Sequence, residues 1–281
     1  SYEQSKFNRA TQSLVQVGSS IKPFIYAAAL EKGLTLSSVL QDSPISIQKP
    51  GQKLWQPKNS PDRYDGTMRL RVGLGQSKNM IAIRAIQTAG IDFTAEFLQR
   101  FGFKRDQYFA SEALALGAAS FTPLEMARAY AVFDNGGFLI EPYIIEKIQD
   151  NAGKDLFVAN PKIACIECND IPVVYGETKD KINGFANIPL GENALKPSDD
   201  STNGEEVDQQ PETVPELPEL QSNVTALKED AIDLMAAAKN ASSKIEYAPR
   251  VISGELAFLI RSALNTAIYG EQGLDWKGTS W

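Results

Sequence analysis

The chain has 281 residues, 43% of them hydrophobic and 22% charged, with a net charge of −7. That length and apolar fraction support one substantial core, with room for an accessory lobe. No run approaches the roughly 18 apolar residues of a membrane-spanning helix, no basic stripe with interleaved aromatics invites nucleic acid, and histidine is absent altogether.

Without imidazole, a nucleophilic serine needs another base. Gly18-Ser19-Ser20-Ile21-Lys22-Pro23-Phe24 offers one. Positions i and i+3 of a helix lie on one face, so the Lys22 amine can reach the Ser19 hydroxyl. A solvated lysine is protonated at neutral pH, but burial among Phe24 and Ile25 disfavours the cation and lowers its pKa. Ser19 would also sit at a helix N-terminus, where unpaired N–H groups and the helix dipole favour developing negative charge. The helix reads on through Phe24, Ile25, Ala27, Ala28, Ala29 and Leu30, with Lys32 and Gly33 as its stop. Alone, the S-x-x-K spacing also fits a serine cap followed by a surface lysine.

Ser77-Lys78-Asn79 reads as a connector between two helical stretches, one through Met68, Leu70, Val72 and Leu74, the other through Met80, Ile81, Ile83 and Ile86 to Gly90. A hydroxyl there can relay a proton between a lysine and a leaving amine. The Asn79 amide can bond both the lysine and a substrate carbonyl. Further on, Thr122-Pro123-Leu124-Glu125 is a capping box with proline at the first helical position, opening a helix through Met126, Ala127, Tyr130 and Phe133 that stops at Asn135-Gly136-Gly137. Short strands are expected over Phe138 to Ile140, over Tyr143 to Ile148, and over Leu156 to Val158 after the Asn151-Ala152-Gly153 turn.

From Glu192 to Glu219 nine acidic residues face a single base, Lys196, a local charge of −8 interspersed with Pro197, Pro211, Pro215 and Pro218. Such a segment has too little apolar surface to offset the entropy of ordering, so residues 191–222 are expected to form a disordered acidic insertion. A partner-binding tether is the alternative. Ala226 to Ala238 reads as helical, and a last helix runs from about Gly254 to Tyr269, its apolar residues forming core.

These motifs combine into a resemblance. S-x-x-K with S-D-N and K-T-G is the signature shared by class A β-lactamases and penicillin-binding proteins, with Lys78 here in the place of the middle Asp. Asn8-Arg9-Ala10-Thr11-Gln12 and Gln16 to Phe24 resemble the active-serine segment in the transpeptidase domain of bifunctional, class A penicillin-binding proteins, most nearly the Gram-negative 1A type. The similarity continues in Trp55-Gln56-Pro57-Lys58-Asn59, Tyr64-Asp65-Gly66, Leu70 to Asn79, Leu114 to Gly117, Thr122 to Tyr130, and Ser253 to Ala257. It covers most of the chain outside roughly residues 155 to 250.

The resemblance implies an α+β, serine β-lactamase-like domain of helices packed on an antiparallel sheet, one partial domain over residues 1–281 and mostly helical here. It implies Ser19 as nucleophile on the penultimate D-Ala carbonyl of a peptidoglycan stem peptide, Lys22 as base, Ser77 as proton relay and Asn79 as orienting and substrate-contacting amide. A neighbouring stem's amine would resolve the acyl-enzyme, β-lactam antibiotics would acylate the same serine, and the setting would be the periplasmic side of the bacterial inner membrane. Membrane attachment and glycosyltransferase activity would belong to parts outside this chain.

The sequence departs from the pattern in places. No Lys-Thr-Gly occurs, and Lys277-Gly278-Thr279-Ser280 has similar letters in another order and reads as a loop. The chain is therefore expected to stop before the last catalytic strand, which in the family carries an oxyanion donor, and to bind β-lactam poorly by itself. Val15 stands where the family usually carries Arg, putting a local salt bridge in doubt. Cys165 and Cys168 cannot complete a zinc site alone. In the oxidising compartment implied by the resemblance they read as a small local disulfide, with a free pair as the alternative. No motif calls for a metal or cofactor. The competing reading is an incomplete fragment serving as a helical structural or interaction module; a β-lactamase is a weaker alternative, since no motif places a Glu to activate a deacylating water.

Overall fold

The computed structural model describes residues 5–51, 53–165, 173 and 245–270. The chain divides into two compact units, one of Ser1–Lys147, Ala159–Glu177 and Ser243–Trp281, the other of Ile148–Val158 and Thr178–Ser242. The expected acidic insertion at 191–222, the helix at Ala226 to Ala238, Cys168 and the Lys277 to Ser280 loop lie outside the described residues.

At the heart of the first unit is helix α2 (Lys22–Glu31), every residue of which from Lys22 to Ala29 is buried. Apolar on all sides, it has no face to give to water and must be surrounded. Before it come the single turn α1 (Arg9–Gln12) and strand β1 (Val15–Gln16). After it, β2 (Val39–Asp42) pairs antiparallel with β3 (Gly66–Arg69), setting Leu40 opposite Met68. Then α3 (Leu70–Gly75), α4 (Asn79–Ala89) and α5 (Ile91–Gln99) follow, and all three pack on α2. Strand β4 (Ser120–Phe121) pairs with β1, and α6 (Pro123–Asp134) leads on to α7 (Gly254–Tyr269), which packs on α2, α3 and α6.

Phe24 anchors this arrangement. Its ring lies 5.0 Å from Phe101, 5.3 Å from Phe103, 5.2 Å from Tyr130 and 5.0 Å from Phe133, mostly edge to face. Aromatic pairs of this kind add about 0.5–1.5 kcal/mol each beyond area burial. They hold the first turn of α2 two residues from Lys22. The capping box of α6 forms as the sequence implies: Glu125 N–H donates to Thr122 Oγ1 at 3.2 Å, and Thr122 N–H donates to Glu125 Oε2 at 2.8 Å. α7 begins and ends where its periodicity predicts, with Ser253 Oγ accepting from Leu256 N–H at 3.1 Å.

Three expectations are corrected. Met68 belongs to β3 rather than to the helix after it, because the chain runs directly from strand into α3 at Arg69. Phe138 to Ile140 is not a strand; Phe138 makes an isolated bridge to Arg250, and no ladder extends it. In Tyr143 to Ile148 only the end is extended, as β5 (Lys147–Gln149), which pairs with β6 (Asp155–Val158). The described part of the second unit, Ile148–Val158, is this hairpin beyond its first residue, turned by Asp150, whose carboxylate accepts from the Ala152 and Lys154 N–H groups, both at 2.9 Å. Among the described residues no helix is long and apolar enough to cross a membrane.

Candidate active site

Ser19 lies in a 3₁₀ turn, Gly18–Ile21, that runs into α2 at Lys22, so Lys22 rather than Ser19 opens the α-helix. In a 3₁₀ turn side chains at i and i+3 eclipse, which keeps Ser19 and Lys22 on one side. Backbone contacts hold the turn from behind. Val17 N–H donates to Ala119 O at 3.1 Å, extending the β1–β4 pairing. Gly117, at φ +82°, lies against Gly18, at φ +52°, so closely that a Cβ on Gly117 would fall 2.1 Å from Gly18 O. Only glycine meets both the conformation and the approach. From α6, Tyr130 donates its hydroxyl to Ser20 O at 2.8 Å. Ser19 itself is exposed.

The connector between α3 and α4 takes the form of a helix C-cap. Ser77 N–H donates to Leu74 O and Lys78 N–H to Gly73 O, both at 2.9 Å, the pair of bonds of a Schellman motif. The residue following the cap in that motif must be left-handed and is usually glycine. Here it is Ser77, at φ +54°. The strained backbone swings both its carbonyl and its hydroxyl toward α2, where Lys22 Nζ donates to Ser77 O at 2.5 Å and to Ser77 Oγ at 3.0 Å. A third bond runs from Lys22 Nζ to Asn79 Oδ1 at 2.7 Å. The Asn79 amide is aimed by its other end, since Nδ2 donates to Lys58 O at 2.7 Å, leaving the oxygen to face the lysine.

Lys22 is thus a buried cation with three neutral acceptors and, among the described residues, no carboxylate bonded to it. Burial lowers its pKa from the usual 10.5 to about 8. Ser19, Lys22 and Ser77 line one open cleft of about 240 Å³, walled by Pro23, Leu74 and Leu264. The structure brings Lys22, Ser77 and Asn79 into direct contact and sets Ser19 beside them. Its three bonds take Lys22 to Ser77 and Asn79, not to Ser19. Among the described residues no cluster of His, Cys, Asp or Glu could hold a metal ion.

Residues 1–173 match the family described as penicillin binding protein transpeptidase domain. The chain belongs to the penicillin-binding protein transpeptidase family. It is 97% identical, over its whole length, to penicillin-binding protein 1A of Haemophilus influenzae, of which it covers 33%, and 50% identical to penicillin-binding protein 1A of Escherichia coli, of which it covers 30%. It therefore spans about a third of the length of these relatives. The crystal structure of penicillin-binding protein 1A from Haemophilus influenzae superposes with a TM-score of 0.75 and 78% identity over all of this chain and 34% of that one. The fold is the α+β transpeptidase fold that the motifs imply, mostly helical among the described residues.

In this transpeptidase-family chain, sequence reasoning missed the residues that hold the motifs in place. By its motif Lys78 is only a departure from the family pattern, yet it makes ion pairs with Asp42 and Asp65. Asn59, inside a block already singled out by resemblance, accepts from the N–H groups of Asn79 and Met80 and so caps α4 from a distant loop. Asp42, fully buried, carried no local signal at all. Leu264, read as core, lines the cleft. Cys165 is disulfide-bonded, as favoured above.

Proposed function

We propose that this chain is the acyl-transfer domain of a D,D-transpeptidase that cross-links peptidoglycan stem peptides and is acylated by β-lactams. Ser19 Oγ attacks the carbonyl carbon of the penultimate D-Ala while Lys22, as the neutral amine, takes the hydroxyl proton. The tetrahedral intermediate collapses with cleavage of the C–N bond, and the departing amine of the terminal D-Ala receives a proton through Ser77. An amine from a second stem then attacks the Ser19 ester, losing its proton to the same relay and releasing the serine. Asn79 holds Lys22 through Oδ1, and its remaining Nδ2 hydrogen is available to a substrate carbonyl.

The observation that carries this reading is the burial of Lys22 with its three hydrogen bonds to Ser77 and Asn79, in a cleft that Ser19 shares. A protonated amine donates three times; a neutral one donates twice and has a lone pair. Ser77 Oγ can accept from the first and donate to the second, which suits a relay. Hydrogen bonds to a nucleophile commonly tighten only with substrate bound. Family membership supports an enzyme over an interaction module; a periplasmic-facing, membrane-attached setting and a glycosyltransferase activity outside these residues are part of the same proposal, drawn from the resemblance to class A penicillin-binding proteins.

Penicillin labelling tests the assignment. With these residues carried in a polypeptide of the relatives' full length, a penicillin should add its mass to the tryptic peptide containing Ser19, and Ser19→Ala should abolish the adduct. Label on Ser20 or Ser77 instead overturns it.

A further inference from the structure

The middle residue of the Ser77-Lys78-Asn79 turn points away from the cleft and into an ionic network. Lys78 Nζ lies 2.5 Å from Asp65 Oδ2 and 3.2 Å from Asp42 Oδ2, and reaches Arg63 O at 3.4 Å. The Lys78 side chain is 11% exposed and that of Asp42 is 0% exposed. Both oxygens of this buried carboxylate are satisfied: Oδ1 accepts from Asn59 Nδ2 at 2.7 Å, and Oδ2 accepts from Asp65 N–H at 2.9 Å besides its contact with Lys78. Asn59 then closes the ring, its Oδ1 accepting from Asn79 N–H at 2.9 Å and Met80 N–H at 3.3 Å. A chain of contacts thus leaves the turn at Lys78 and returns to it at Asn79.

We propose that Lys78 is a positioning residue that, by pairing with Asp42 and Asp65, fixes Ser77 and Asn79 where they hold the Lys22 amine; this rests on the acyl-transfer reading above. The left-handed Ser77 needs such an anchor, because a non-glycine residue stays in that region only when its surroundings over-determine it. Among the described residues Lys22 has no charged partner of its own, and it is held by three acceptors carried by two residues of this one turn. A turn free to relax toward ordinary backbone angles would carry the Ser77 carbonyl and hydroxyl away together.

Removing Lys78 alone leaves the buried Asp42 carboxylate without the cation paired to it, which is strongly destabilising by itself. The informative variant is the double Lys78→Met/Asp42→Asn, which removes both charges, beside Lys78→Arg, which keeps the cation. In the full-length protein, rapid-mixing kinetics with a penicillin separate the limiting acylation rate from the binding constant. Lys78→Arg should stay within about threefold of the parent, and the double variant should melt near the parent yet acylate at least about tenfold more slowly with binding little changed, since displacements near 1 Å cost about that or more. Its crystal structure should show Ser77 out of the left-handed region or Lys22 parted from Asn79. A parental acylation rate in the double variant, or Ser77 and Asn79 unmoved in its structure, overturns the proposal. The structural readout stands whichever serine is acylated, while a Ser19→Ala protein that still labels overturns the acyl-transfer assignment alone.

Discussion

The two turns that meet at Lys22 are held by opposite means. The Gly18–Ile21 turn is fixed by shape: Phe24 sits among four aromatic rings just behind it, and Gly117 leaves no room between its own backbone and that of Gly18. The Ser77–Asn79 turn is fixed by polar bonds to Asp42, Asp65, Asn59 and Lys58. As the proposed nucleophile Ser19 must stay exposed, so its support comes from behind and chiefly from packing, with few polar bonds. The groups proposed to manage protons must be oriented as donors and acceptors, so theirs comes from a network of defined direction. The difference separates variants that unfold the site from variants that leave it folded and slow.

The largest effect is expected on the shape-held side. Phe24→Ala removes a fully buried ring and leaves a cavity among Phe101, Phe103, Tyr130 and Phe133. It should cost about 3–5 kcal/mol, the range for buried aromatics. Urea unfolding followed by circular dichroism measures this. A loss under about 1 kcal/mol would mean that the cluster relaxes freely and that the turn is not held by packing.

On the polar side, Lys22→Ala should slow acylation at least 10²-fold, a general-base contribution, and Lys22→Arg should fail too, because guanidinium keeps its proton. Since the base must be neutral, the acylation rate should climb with pH through about 8, the lowered pKa of Lys22. Stability follows the same group. Its folded pKa lies below the unfolded value of 10.5, so the unfolded chain binds more protons between about 8 and 10.5 and stability rises across that window. Below it the cost of burying the cation is fully present, about 3 kcal/mol for a shift of this size, and Lys22→Met should recover part of it at neutral pH. A rate profile flat between pH 6 and 9, measured with a penicillin whose own ionisation lies well outside that range, removes Lys22 from the proton transfer.

The same contrast explains what was legible in the sequence. Ser19 and Lys22 stand one turn apart, and α2, α4, α6 and α7 announce themselves through apolar spacing, the Thr122–Glu125 box and the glycines at 33, 90 and 270. These are local signals. Asp42 lies 17 residues from Asn59 and 23 from Asp65, in a four-residue strand without apolar alternation, and only folding shows that it neutralises Lys78. Met68 carried a helical neighbourhood, but its pairing with Leu40 decided for strand. Phe138 has β-forming neighbours and no partner ladder to join. Long-range polar bonds leave no periodicity, so the network behind the second turn was invisible where the packing behind the first was half visible.

The smallest effect tests the comparison most sharply. Among the described residues, the one side-chain hydrogen bond to the Gly18–Ile21 backbone comes from Tyr130, at 2.8 Å to Ser20 O. Tyr130→Phe keeps the ring against Phe24 and Phe133 and removes only that donor. Ser20 is exposed, so water can replace the lost donor. If shape holds the turn, the substitution should cost about 1 kcal/mol or less, a melting shift of a few degrees, and acylation should slow by well under tenfold. Melting temperatures and acylation rates of Tyr130→Phe and the parent, run side by side with the same penicillin, measure it. A hundredfold slower rate would place the nucleophile turn under polar control like its neighbour, because Tyr130 would then be orienting Ser19 through the Ser20 carbonyl and not merely packing beneath it.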